Sequence, residues 1–316
     1  MLFRLPALLQ LRRRFRLPVR KGYALGRHML SWLGVGFDGP RIALDDLDEG
    51  TRTMHSIEGE TFTIVKHPER FCVGAYNLMT QEREMCERRQ ELPDDYKETS
   101  CPACADKTGF NPSFYNGGGI SAQQRAYNDT PHIVYLAYFS PRHLKVGITS
   151  AARGKLRLLE QGARSAMILK ECESAYAARE WEAKLCSTQG IYESLLPSVK
   201  YRLLTTQTHD HAEASAIMRK TVRDTFGLEP TDPIDLDRYY SRDESVLAGS
   251  INEPDNPSST MVAGECVGMV GTFALMRQQG RVYAASLKDY VSHLVDYRFG
   301  EVLYEYSAPP EQGSLF

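Results

Sequence analysis

The sequence predicts a mixed fold of the α/β (α+β) class. Two runs rich in β-branched and aromatic residues, 132–139 and 144–149, are separated by a short turn that contains a proline, which is typical of an antiparallel hairpin. A helix over 151–161, a third strand over 166–172 and a second helix over 174–187 follow. We therefore expect a three-stranded antiparallel sheet with flanking helices.

The composition limits the class of protein. The chain has 316 residues, enough for two or three small domains, and its 42% hydrophobic and 25% charged residues are ordinary globular values. The formal net charge of −2 excludes a polycation, so any contact with nucleic acid needs a local basic patch. No apolar run approaches the roughly 18 residues of a membrane-spanning helix, so we expect no membrane association.

Four of the seven cysteines lie close together in the sequence: Cys72, Cys86 and the C-x-x-C pair Cys101 and Cys104. Unevenly spaced cysteines favour a reducing cytoplasm and a metal site over a disulfide framework. Thiolates are soft ligands that suit tetrahedral zinc, and a closed four-thiolate shell makes the ion structural. The alternative, free thiols with a redox C-x-x-C, lacks the strand-to-helix setting of such a motif. We predict one structural zinc ion here.

The segment boundaries follow from composition. Residues 1–30 form a basic leader without acidic residues, which is either an arm that lies on phosphates or a poorly ordered terminus. Residues 31–130 hold a β segment, the cysteines and a linker, and residues 131–228 hold the hairpin module. Residues 229–260 are rich in Pro, Asp and Ser and predict an extended acidic linker. A C-terminal β unit over 261–307, which strands ahead of the cysteines could complete, precedes a disordered tail over 308–316.

Two histidines, His209 and His211, fall within a predicted helix over 209–226. Residues two apart face different sides of a helix, so they are a poor pair of metal ligands. This spacing favours solvated residues at the start of the helix.

The hairpin module carries a set of motifs in a fixed order. They are Val134-Tyr135, Lys145-Val146-Gly147, Arg157 (or Lys155) and Glu182-Ala183-Lys184-Leu185. This order resembles the GIY-YIG nuclease superfamily, in which two triplets on the hairpin precede a helical arginine and a metal-binding E-x-x-L glutamate. Ile133 and Lys145 depart from it, because they replace the first glycine and the second tyrosine.

A second resemblance covers roughly residues 60 to 230. The string Lys145-Val146-Gly147-Ile148-Thr149, followed by Arg157 and by Gln161-Gly162-Ala163, is similar to a bacterial family of uncharacterised proteins that place four cysteines ahead of the same signature. That family brings no established activity with it.

The GIY-YIG resemblance implies a site for phosphodiester chemistry. Tyr135 would help to position the attacking water, Arg157 would stabilise phosphate charge, and Glu182 would hold one magnesium or manganese ion. Lys145 would offer a cation to phosphate instead of a neutral hydroxyl. The first expectation is a metal-dependent endonuclease-like protein acting on nucleic acid, DNA or RNA. The second is a zinc-containing nucleic-acid-binding or adaptor protein without turnover.

Three of these residues also have structural interpretations. Tyr135 could be a core residue of its strand, Glu182 a surface acid of its helix, and Arg157 the partner of Glu160 or Glu182. Convergence of Tyr135, Arg157 and Glu182 on one open groove would favour catalysis, and separation would favour binding.

Overall fold

The structure is a computed structural model that describes residues 26–114, 119–255 and 260–307. The predicted leader over 1–30 lies outside these residues except for its last five positions, and the predicted tail lies outside them entirely. The described chain is a mixed α+β fold with large sheets, which confirms the predicted class. None of its helices combines the length and the apolar character needed to cross a membrane.

The elements of the described residues are numbered in chain order. The strands are β1 (His28–Gly36), β2 (Gly39–Asp46), β3 (Thr51–Ser56), β4 (Thr61–Phe71), β5 (Ala75–Tyr76), β6 (Arg83–Glu84), β7 (Glu91–Leu92), β8 (His132–Ser140), β9 (His143–Ser150), β10 (Ser165–Cys172), β11 (Ile191–Tyr192), β12 (Ile234–Asp235), β13 (Ile251–Asn252), β14 (Met261–Val270), β15 (Phe273–Gln278), β16 (Arg281–Ser286) and β17 (His293–Phe299). The α-helices are α1 (Pro102–Thr108), α2 (Ala122–Asn128), α3 (Lys155–Gln161), α4 (Ala175–Cys186), α5 (Pro197–Thr206), α6 (His211–Lys220), α7 (Asp237–Tyr240) and α8 (Glu244–Ala248).

The larger sheet has ten strands and joins both ends of the described chain. Its order is β13-β16-β15-β14-β4-β17-β1-β2-β3, with β7 paired to the end of β4. Strand β17 hydrogen-bonds to β1 on one side and to β4 on the other, antiparallel to both. The strands ahead of the cysteines and those of the C-terminal β unit therefore form one sheet.

The smaller sheet contains the predicted hairpin. Its order is β11-β9-β8-β10-β12, with an antiparallel centre of β9, β8 and β10. It has five strands where the sequence predicts three, because the two-residue strands β11 and β12 extend it at its edges. Strands this short leave no periodic signal in a sequence.

The two faces of β8 pack against different layers, since alternate residues of a strand point to opposite faces. Val134 and Leu136 lie in a core with Ala178 of α4 and Met218 of α6. Their neighbours Tyr135, Ala137 and Phe139 lie in the main core, which also includes residues of α3 and of the larger sheet. The smaller sheet is thus buried on both faces, and α3 lies between the two sheets.

The predicted linker over 229–260 is folded where the structure describes it. It contains β12, α7, α8 and β13, and its apolar side chains Leu236, Tyr240 and Leu247 are buried in the main core. The Tyr240 hydroxyl donates a hydrogen bond to the carbonyl oxygen of Ala163 at 2.6 Å. The polar composition of this segment predicted an extended connection, but its leucine, valine, isoleucine and tyrosine side chains are buried in the main core or packed against it.

Candidate metal centre and cationic cavity

The four predicted cysteines converge on one point. The sulfur atoms of Cys72, Cys86, Cys101 and Cys104 all lie within 4.8 Å of one another, and the first three side chains are buried. Cys72 follows β4, Cys86 follows the β5–β6 hairpin, and the last two lie at the start of α1. Four soft donors this close could hold a metal such as zinc, in a closed shell of the structural kind.

Hydrogen bonding and burial both act on these thiols. The Cys72 sulfur accepts the backbone N–H groups of Cys101 at 3.0 Å and of Gly74 at 3.3 Å. Burial raises the pKa of Cys72 to about 11 and also raises the pKa of Cys104. A bound cation would reverse this preference, because it stabilises the thiolate form that coordinates it.

Gly74 allows the two cysteine-bearing segments to approach each other. Its φ is +92°, and a Cβ at this position would lie 1.8 Å from the carbonyl oxygen of Glu84 and 3.0 Å from the backbone nitrogen of Cys86. The left-handed backbone and the close contact both require glycine here.

A cavity of about 540 Å³ lies beside the cysteine module, between the two sheets. Its walls include parts of β1, α3, α5 and the turn between β14 and β15. Six basic side chains line it: Arg83, Arg153, Arg157, Arg164, Lys200 and Lys288. Among the lining residues that the structure describes, the acidic one is Glu160. The cavity therefore carries an excess of positive charge.

Acidic partners neutralise part of this charge. Arg164 forms a two-pronged ion pair with Asp237, at 2.5 and 2.6 Å. Arg153 and Arg157 share the carboxylate of Glu160. One carboxylate thus serves two guanidinium groups.

Two of the remaining three cations, Arg83 and Lys200, have neutral partners. Within the described ranges, Arg83, Lys200 and Lys288 form no ion pair. Arg83 lies over the ring of Tyr76, and the Lys200 amine donates a hydrogen bond to the carbonyl oxygen of Gln161 at 2.8 Å. Burial, reinforced by neighbouring cations, lowers the pKa of Lys200 to about 8.

Three of the four predicted catalytic residues, Tyr135, Lys145 and Glu182, are not among the described residues that line the cavity. Tyr135 is 1% exposed, and its ring fills the space over Gly147, where a Cβ would lie 2.6 Å from the tyrosine oxygen. Burial raises the pKa of Tyr135, and the nearby guanidinium of Arg157 opposes this effect. Arg157 lines the cavity, whereas Tyr135 and Glu182 are absent from its described walls.

Glu182 and Lys145 each have protein partners. Glu182 is 6% exposed and accepts a hydrogen bond from Arg179 at 2.5 Å. Burial raises the pKa of Glu182, and Arg179 and Lys145 oppose the rise. The Lys145 amine donates to the carbonyl oxygen of Glu193 at 2.6 Å. Glu182 and Lys145 therefore form their hydrogen bonds with other groups of the protein, and neither residue is among the described residues that line the cavity.

The sequence predicted only Arg157 of the six basic cavity residues. It missed Arg153 and Arg164, which flank α3, and it missed three residues that are distant in the chain: Arg83, Lys200 and Lys288. They belong to the β5–β6 hairpin, to α5 and to the turn before β17, so no local pattern connects them. Arg157 was found because its motif places it on the first helix after the hairpin.

Comparison with known proteins gives one match. Residues 59–194 match the model of a family described as a protein of unknown function, DUF2797. This range contains the four cysteines, the β8–β9 hairpin, Arg157 and Glu182, in agreement with the predicted resemblance to an uncharacterised family. No curated protein and no solved structure matches the chain. A relationship to the GIY-YIG nucleases stays a prediction.

Proposed function

We propose that this protein binds the phosphate groups of a nucleic acid in its cationic cavity, beside a structural zinc centre, without turnover. The observation that carries the proposal is the set of six basic side chains around one cavity, against one acidic side chain among the lining residues that the structure describes. Guanidinium groups present planar pairs of donors that match phosphate oxygens, and a lysine adds a point charge. The proposal is the second of the two functions that the sequence suggests.

The size of the cavity favours a particular form of nucleic acid. A volume of about 540 Å³ is within the range of small-ligand pockets, roughly 300–1,000 Å³. Such a space accommodates one or two nucleotides and excludes the side of a duplex. We therefore expect single strands or unpaired ends to bind, with phosphates held by Arg157 and Lys200.

A binding experiment tests this proposal. Fluorescence anisotropy with a labelled single-stranded oligonucleotide should show binding that weakens as salt increases, because phosphate contacts release counterions. Arg157→Ala should weaken binding by about 1–3 kcal/mol, the scale of a charge-assisted hydrogen bond. The melting temperature should change little, because the shared Glu160 keeps Arg153 as its partner.

Arg219→Ala is the matched control for this experiment. Arg219 pairs with the fully exposed Asp232 and is not among the described cavity residues. Its removal should leave binding unchanged. If low-salt binding is undetectable, or if both substitutions weaken it equally, the cavity is not a nucleic-acid site. A large drop in melting temperature with unaltered binding would make Arg157 part of the scaffold.

Metal-dependent endonuclease activity is the second candidate. The observation in its favour is proximity: after burial, the charges of Arg157 and Glu182 are the largest influences on the pKa of Tyr135 and on the pKa of Lys145. Incubation of single-stranded and structured nucleic acids with magnesium or manganese tests it. Cleavage that Glu182→Gln abolishes would replace the non-catalytic proposal, and intact substrates would support it.

A further inference from the structure

A second group of metal-binding side chains lies at the wall of the cavity. His209, His211 and Asp235 each bring one ligand atom within 4.8 Å of the others. They come from three places in the fold: the segment before α6, the first residue of α6, and β12. Since His209 precedes the helix, the argument that residues two apart face different sides of a helix does not apply. His209 also lines the cationic cavity.

A hydroxyl group lies between the two imidazoles. Ser165 pairs with Asp235 across β10 and β12, and its Oγ lies 3.0 Å from His209 Nε2 and 2.8 Å from His211 Nδ1. The hydroxyl oxygen therefore lies within 3.0 Å of a nitrogen of each imidazole, and a carboxylate oxygen of Asp235 lies within 4.8 Å of a ligand nitrogen of each ring. The backbone pairing of β10 with β12 holds Ser165 and Asp235 in register.

We propose that His209, His211 and Asp235 bind one divalent transition-metal ion of the zinc class, with the Ser165 hydroxyl or a water molecule as the fourth ligand. Two histidines and one carboxylate are a donor set that zinc uses in sites with an open position. With metal–ligand bonds of about 2.0–2.1 Å, ligand atoms in a tetrahedral site lie about 3.3 Å apart. The ligand atoms of His209, His211 and Asp235 lie within 4.8 Å of one another, so side-chain movements of about 1–2 Å bring them to that separation.

The surrounding charges are compatible with a cation. Arg164 lines the same cavity as His209, and its ion pair with Asp237 neutralises its charge. Asp235 accepts the backbone N–H of Asp237 at 3.1 Å, which fixes the carboxylate, as supporting hydrogen bonds commonly fix metal ligands.

This site would differ from the cysteine centre in its chemistry. The four thiolates form a closed shell, whereas two imidazoles and one carboxylate leave a position for an exchangeable ligand. Because His209 is shared with the cavity wall, that position would be available to an oxygen atom of a cavity ligand. The inference concerns metal binding alone and stands whether or not nucleic acid binds.

Titration of the full-length protein with cobalt(II), after its zinc has been removed with a chelator, tests the inference, because cobalt binds more weakly than zinc and would not displace it. Cobalt bound to thiolates gives intense sulfur-to-metal charge-transfer absorption, whereas cobalt bound to nitrogen and oxygen gives only weak visible bands. The wild type should take up two equivalents, one with each spectrum. His211→Ala should keep the thiolate spectrum and lose the second equivalent.

His143→Ala is the matched control, because His143 stacks on Tyr192 and hydrogen-bonds to Ser140, away from the proposed site. It should retain both equivalents. The thiolate spectrum reports folding around the cysteine centre in every variant, and His209→Gln repeats the test if His211→Ala does not fold. A wild type that binds only the thiolate equivalent overturns the inference, and so does a second equivalent that persists in His211→Ala and His209→Gln.

Discussion

Gly74 lets the chain that leaves Cys72 touch the segment that carries Cys86. Gly59 has a similar backbone, with φ of +82° against +92°, but among the described residues no atom lies within 4 Å of the place where its Cβ would be. Substitution of the two glycines therefore distinguishes the cost of backbone strain alone from the cost of strain combined with a steric clash.

Gly74→Ala should destabilise the protein by more than about 2 kcal/mol and reduce its zinc content, because the new Cβ would collide with the backbone of Glu84. Gly59→Ala should cost about 1 kcal/mol, the scale of left-handed strain alone, and leave zinc content unchanged. Urea denaturation together with metal analysis measures both effects. Equal costs for the two substitutions would contradict the clash.

Lys200 makes ligand binding depend on pH. Its pKa of about 8, lowered chiefly by burial, means that it carries its charge below pH 8 and loses it above. An anionic ligand favours the charged form, so binding takes up protons and the affinity falls as the pH rises through about 8. Anisotropy titrations between pH 6 and pH 9 measure this fall.

Lys200→Ala should bind more weakly and show a flat profile over the same range. A profile that is unchanged in the variant would assign the pH dependence to another group.

For individual residues, the sequence predicted the cluster of four cysteines better than it predicted the residues that line the cavity. The four cysteine ligands lie within 72–104, and local spacing carries their signal. Arg83, Lys200 and Lys288 meet only because the cysteine module, α5 and the turn before β17 fold against one another. The spacing of these residues in the sequence therefore could not predict that they line one cavity.

The segment that contains β12, α7 and α8 shows how composition misleads at the scale of elements. Its acidic residues predicted a solvated linker, yet Asp237 pairs with Arg164, whose side chain is 7% exposed. Leu236 and Tyr240 flank this pair in the core. A few apolar residues are enough to hold a segment against the core when one of its carboxylates also forms an ion pair with a buried cation.

Asp237→Ala should destabilise the protein by about 3–5 kcal/mol, because it leaves the buried guanidinium of Arg164 without its counter-charge. Asp232→Ala, in the same segment, should have little effect, since that carboxylate is fully exposed. Thermal or urea denaturation of both variants measures the difference. A mild effect of Asp237→Ala would mean that water reaches Arg164.

The two sheets and the cysteine module meet around the cavity at the scale of the whole molecule. Val73, Arg83 and Thr99 of the module line the cavity. Arg52, paired with the buried Asp45 of the larger sheet, donates to the carbonyl oxygens of Val73 at 3.1 Å and Arg83 at 2.9 Å. A loss of order in the cysteine module would therefore displace residues that line the cavity.

Removal of zinc with a chelator should lower the melting temperature and also weaken oligonucleotide binding, because Arg83 would lose its fixed position. Restoring zinc to the stripped protein should recover both properties. Calorimetry and anisotropy on the same samples measure them. Full binding by the metal-free protein would show that the cavity forms independently of the cysteine centre.

The position of β17 between β1 and β4 has a consequence for biosynthesis. Their shared partner β17 leaves the ribosome only after residues 72–292, which separate it from β4, have been made. Until then both strands present unpaired edges, which are prone to join other chains. The smaller sheet and the cysteine module have local contacts and can form first. A chain stopped at residue 194, where the family match ends, would lack β14 and β17, the two strands on either side of β4 in the larger sheet. We expect such a chain to need a chaperone or to aggregate.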